Sequence, residues 1–108
     1  MKQITIKHED KQYTLEYTRN SVKKMEQAGF IIQDIQSKPG TLVPMLFEGA
    51  FLSKHRYVKK EVLDEIFNNI ENKEDFIAVL AEMYQDTLLT IISNTDEEQG
   101  NLKWEKNW

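Results

Sequence analysis

The stretch Thr41–Leu52, TLVPMLFEGAFL, decides how the chain is read. Eight of its twelve residues (Leu42, Val43, Met45, Leu46, Phe47, Ala50, Phe51, Leu52) are apolar, and they fall on every side of a helical wheel. A helix that is apolar all round must be covered all round, so this segment is expected at the centre with the other elements packed on it. It is too short to span a bilayer, which takes about 20 apolar residues. Thr41 is the expected cap, with Pro44 in the first turn, where its missing N–H has no intrahelical partner. Gly49 costs about 1 kcal/mol against alanine inside a helix and so marks close approach by another group.

Upstream, Ile4 and Ile6 alternate with Thr5 and Lys7, and Tyr13, Leu15 and Tyr17 alternate with Thr14 and Glu16. Period two on both sides of the polar HEDK predicts a β-hairpin over 3–17, whose apolar face needs a cover. The next helix, about 19–28, supplies one. Thr18 caps it, Val22, Met25 and Ala28 form its stripe, and Gly29 stops it at C′. FIIQDIQSKPG reads as a short packed connector with one helical turn.

Downstream of the central helix (about 42–54), Val62, Leu63, Ile66, Phe67 and Ile70 make one apolar face of a helix over about 60–70. Asn72 caps a helix over 73–92, with Glu74 and Asp75 in its first turn, where the macrodipole favours anions. Phe76, Ile77, Leu80, Met83, Tyr84, Leu88, Ile91 and Ile92 carry its stripe. From Ser93 the periodicity ends, and SNTDEEQGNLKWEKNW reads as an acidic, tryptophan-containing mobile tail over 93–108. The expected fold is α+β and mostly α: one domain over 1–92, an N-terminal hairpin followed by about four helices, and a flexible C-terminal tail.

At 108 residues the chain buries enough surface to fold without a staple, and it has no cysteine for a disulfide or thiolate zinc site. A net charge of −4 with interspersed signs disfavours nucleic acid as a partner. MKQITIKHED shows no apolar run, so neither signal nor membrane anchor is expected, and the chain reads as soluble and cytoplasmic. No motif assigns a catalytic, cofactor-binding or metal-binding residue, and His8 and His55 lie in a turn and a basic junction. Acid pairs such as Glu61/Glu65 read as solvated helix faces. The cluster Lys54, His55, Arg56, Lys59 and Lys60 reads first as a helix C-terminus where cations favour the dipole. A phosphate-contacting groove and a partner-facing patch are its other readings. Trp104 and Trp108 either fold back on the domain or anchor a partner.

Four segments together resemble the small tail assembly chaperones of long-tailed bacteriophages and prophages, nearest to the group from phages of Gram-positive bacteria. They are YTLEYTRNSVKKMEQAGF (13–30), LFEGAFLSKHR (46–56), LAEMYQDTLLTI (80–91) and NLKWEKNW (101–108). The most specific parts are Gly49–Arg56 and the terminal WEKNW. The resemblance implies a non-enzymatic protein that keeps the tape measure protein soluble and helps recruit tail tube subunits. It would act in the host cytoplasm and be absent from the finished virion. It also implies a largely helical fold, homo-oligomers in some members, and a longer frameshifted product alongside a short one that ends like this chain. No functional residue carries over from the family. The physical reading nominates Met45, Phe47, Phe51, Trp104 and Trp108 for partner binding; the resemblance adds Gly49, His55 and Arg56 and implies that the Gly49–Arg56 end lies near an interface. The rival functions are a nucleic-acid-binding regulator of a mobile element, using Lys54–Lys60, and a minor structural virion protein such as a head–tail connector.

Overall fold

The hairpin forms as its alternation dictates. Strands β1 (Ile4–His8) and β2 (Lys11–Leu15) pair antiparallel, with Ile4 opposite Leu15 and Ile6 opposite Tyr13, so the apolar residues share one face. Glu9 and Asp10 close the turn with φ of 48° and 66°, the left-handed pair that matches the twist of a two-residue hairpin. The structure, a computed structural model, describes residues 2–93 and 105–107. Trp104 and Trp108, and all of the expected tail but Ser93 and Glu105–Asn107, lie outside the described residues.

Helix α1 (Arg19–Gln27) starts at Thr18 in a reciprocal cap. The Ser21 amide donates to Thr18 Oγ1 (3.1 Å) and the Thr18 amide to Ser21 Oγ (2.8 Å). Gly29 follows the helix at φ +100°, which only glycine adopts without strain. Val22 and Met25 are buried, but Ala28 is exposed: the helix ends before a third core position is reached. The connector makes one 3-10 turn at Ile32–Asp34, with Phe30 and Ile32 buried.

Helix α2 (Pro39–Gly49) is the central element, packing on α1, on α4 (Lys73–Ser93) and on the 3-10 turn. Its bounds differ from the expected 42–54 at both ends. It begins at Pro39 rather than behind a Thr41 cap, because a proline at N1 gives up an N–H that has no helical partner. Pro44 therefore sits in the second turn, not the first. The bond it forfeits is to the carbonyl of Gly40, a residue on the exposed surface. The helix stops at Gly49, and Ala50–Lys54 follow as turns. Two orphan carbonyls at this end are taken by the segment leaving the hairpin. The Tyr17 hydroxyl donates to the Leu46 carbonyl (2.6 Å) and the Glu16 amide to the Ala50 carbonyl (3.1 Å).

Phe47 joins the helices, its ring lying 5.0–6.0 Å from those of Phe51, Phe67 of α3 (Lys60–Asn68) and Phe76 of α4. Tyr84 of α4 meets Tyr17 and Phe30 edge-on. Leu63 and Ile66 of α3, and Leu80, Met83 and Tyr84 of α4, complete the core. Asn72 precedes α4 at φ 51°, with its carbonyl accepting the Phe76 amide (2.9 Å). Thus the described residues form a two-stranded antiparallel hairpin followed by four helices, α+β and mostly α. Helix α4 is long and apolar enough by composition to cross a bilayer (mean hydropathy 1.3). Here its inner face is core, and its Glu82 and Asp86 pair with Lys2.

Candidate functional site

Two surfaces stand out, and they lie on different elements. The first is an open groove of about 1060 Å³ between β2 and the segment that follows α2. One wall is Lys11–Tyr13, and the other is Ser53–Lys59 with Val62. His55 ties the walls together. Its Nε2 accepts the Thr14 amide (3.0 Å), which makes the ring a neutral imidazole protonated on Nδ1 in this arrangement. Its ring packs edge-on against Tyr13 (5.2 Å) and Phe51 (6.4 Å).

Glu16 anchors the start of the second wall. It was expected on the outward face of the hairpin, yet it is 6% exposed, because its carboxylate accepts from Ser53 Oγ and Gln3 Nε2 (2.8 Å). Burial pushes the Glu16 carboxyl up. The Ser53 and Gln3 hydrogen bonds, with the nearby Lys54 ammonium, outweigh it and hold the carboxyl below its ordinary value.

Lys11, Lys54, Arg56 and Lys59 border the groove, and among the described residues no carboxylate lines it. Lys60, one residue on, is different: it pairs with Glu48 (3.0 Å) and Asp64 (3.2 Å). Tyr57 is 84% exposed, with the Arg56 guanidinium 5.1 Å from its ring centre. The dipole reading of this basic run fails on position. Lys54 lies five residues beyond Gly49, the end of α2, and the dipole's effect fades within a helix's last turn.

The second surface is the far end of α4. Tyr84, Leu88 and Ile92 form one i, i+4 row that runs from buried to 80% exposed at Ile92, and Leu89 beside it is 59% exposed. Ile92 was expected in the core stripe, but among the described residues no element reaches the last turns of α4 to cover it. Ile31, 51% exposed, and Leu88 border a shallow depression of about 280 Å³ against Tyr84.

The nominated residues separate accordingly. Phe47 and Phe51 are core, not surface, because their rings fill the centre of the aromatic cluster. Gly49 is buried under Met25: a Cβ there would strike Met25 Sδ, with Cε at 2.6 Å and Cγ at 2.9 Å. Met45 is half-buried against the core. Among the nominated residues that are described, only His55 and Arg56 reach a surface feature, the groove. Elsewhere, His8 Nε2 is shut from solvent with no hydrogen-bond partner among the described residues, 3.6 Å from Glu65 and 3.9 Å from Glu9. Among the described residues these three are the group able to hold a metal, and both carboxylates are exposed.

Sequence reasoning missed Lys11, Gln12, Leu89 and Ile31. Leu89 had a signal: nine residues after the core residue Leu80, it lies roughly 180° round the helix. Lys11 and Gln12 had none, since only the folded hairpin brings them beside Lys54–Lys59. Compared with known proteins, the chain matches no curated protein and no solved structure significantly. One family model matches throughout, over residues 1–108, and the chain belongs to that family, the domain of unknown function DUF5055.

Proposed function

We propose that the protein is a phage tail assembly chaperone, which binds the tape measure protein, keeps it soluble and helps recruit tail tube subunits without chemical turnover. The resemblance of its four segments to that group covers essentially the whole chain. The observation that carries the binding mode is the bare apolar end of α4, where Leu89 and Ile92 stand 59% and 80% exposed beside Leu88 and Ile31. An uncovered apolar ridge leading into a shallow depression suits the apolar face of a helix from a long helical client. The protein would work in the host cytoplasm and leave before the virion is complete.

The test is co-expression with the tape measure protein encoded beside it. The wild-type chain should raise the soluble fraction of that client, and L89S/I92S should lose most of the gain while keeping its own fold. No gain for any neighbouring tail protein would reject the reading. A full gain with L89S/I92S would move the client surface elsewhere.

A further inference from the structure

We propose that the groove between β2 and Ser53–Lys59 is a second binding surface, and that it takes a short acidic, partly apolar peptide segment of a partner protein. The inference does not rest on the chaperone reading, because it concerns a different face from the end of α4.

Charge is the first argument. The chain has 18 acidic and 14 basic residues, so four cations bordering one cavity whose described lining holds no carboxylate go against the composition. Lys60 follows the composition with two acidic partners, whereas Lys11, Arg56 and Lys59 make no ion pair among the described residues, and Lys54 has only the buried Glu16 nearby. Four like charges around one cavity repel one another, and an anionic ligand relieves that repulsion.

The second argument is the make-up of the walls. Tyr13, Val58 and Val62 add apolar surface to the cationic border, and Tyr57 stands free with Arg56 over its ring. Tyrosine and arginine are, with tryptophan, the side chains enriched where binding energy concentrates. The walls are also held in advance, by the Thr14–His55 bond on one side and the Ser53–Glu16 bond on the other. A preformed site loses less entropy when it binds.

Nucleic acid is the competing polyanion, and the surroundings disfavour it. Helix α3 leaves the groove carrying exposed Glu61, Asp64 and Glu65. A phosphate polymer continuing past the groove meets those carboxylates, whereas a short acidic segment ends before them. Its apolar side chains would meet Tyr13, Val58 and Val62.

The experiment is fluorescence anisotropy on the full chain at about 50 mM and 300 mM salt, since exposed charge pairs weaken as the screening length shortens. The probes are a labelled twelve-residue peptide alternating Asp-Glu pairs with Leu and Trp, an all-Glu peptide of equal length, and a twelve-nucleotide oligo-dT. The acidic-apolar peptide should bind tightest and weaken at high salt. K11E/K59E, one reversal on each wall, should weaken it at least tenfold, and K23E/K38E, elsewhere on the surface, by less than twofold. Tyr57→Ser, at a side chain too exposed to matter for folding, should weaken it about threefold. Equal losses for the two charge-reversed pairs, or no binding at low salt, would overturn the proposal. Tighter binding of oligo-dT would overturn it in favour of a nucleic-acid surface.

Discussion

The Tyr17 hydroxyl is the sharpest point at which to test this fold. It sits in a 1% exposed side chain and donates to the Leu46 carbonyl, one of the last four of α2, which have no helical N–H to accept. Tyr17→Phe keeps the ring and its edge-on contact with Tyr84 (5.4 Å) and removes only the donor. A buried carbonyl left without its partner costs about 1–3 kcal/mol, so a loss of about 2 kcal/mol is expected. For a domain of this size each kcal/mol lowers the melting temperature by about 4–8 °C, giving a fall of roughly 8–16 °C. In urea the midpoint should drop by about 1 M with the slope unchanged. Burial also pushes the Tyr17 phenol well above its ordinary 10. A raised pKa means that the stability it carries is complete below pH 10 and is lost as pH climbs through the folded value. The gap between wild type and Tyr17→Phe should therefore narrow above pH 10. Tyr84, pushed up to about 12 by burial and by Glu26, titrates in both proteins, and in the wild type its charge adds to the upward push on Tyr17. A gap at pH 7 below about 0.3 kcal/mol would show that the Leu46 carbonyl is satisfied some other way, and that Tyr17 does not close α2.

Other consequences are as direct. Gly49→Ala gains about 1 kcal/mol of helix propensity but drives a methyl into Met25, and overpacking typically costs 1–3 kcal/mol, so a net loss near 1 kcal/mol is expected. In a Met25→Ala background the same change should become stabilising; additive urea-unfolding energies would show that the two residues do not meet. Glu16→Gln should cost about 1.5–3 kcal/mol at neutral pH through its charged hydrogen bonds. Because its carboxyl is held below the ordinary 4.5, that contribution is present above 4.5 and fades as pH falls through the lowered value. The difference from wild type should shrink in acid, and a gap constant down to pH 2 would rule out a folded-state carboxylate. L89S/I92S should leave the melting temperature within about 2 °C, since both side chains already face solvent. A fall beyond about 5 °C would mean that the isolated chain covers them.

Where local chemistry and tertiary packing agree, the residues announce the structure. Thr18 and Ser21 form a cap from two neighbouring side chains, and Gly29 ends α1 because no other residue fits φ +100° cheaply. The hairpin follows from period two alone, and the centrality of α2 from its all-round apolarity. Gly49 signalled a close approach, and Met25 is what approaches. The errors fall where a distant partner decides. Nothing in LFEGAFLSKHR indicates that α2 ends at Gly49, because the groups that finish it are the Glu16 amide and the Tyr17 hydroxyl, about thirty residues upstream. Glu16 itself alternates like an outward residue, and becomes buried only because Ser53 and Gln3 arrive to solvate its charge.

The binding surfaces were less legible, for a related reason. Phe47 and Phe51 attract a partner-binding reading through being large, apolar and close to a recognisable segment, but those same properties make them the best core residues available. The surface is then left to residues that the core does not need. On α4 that means Leu89 and Ile92, whose exposure follows from where neighbouring elements stop rather than from their own character. Around the groove it means cations. A basic run after a helix is ordinarily explained by the helix's negative end, and Lys54–Lys59 lost that explanation once α2 closed five residues earlier. Lys11, brought across from the hairpin by the Thr14–His55 bond, adds a further cation on the opposite wall. Like charges gathered around one cavity, with no helix terminus to complement, are costly to keep together unless an anion joins them.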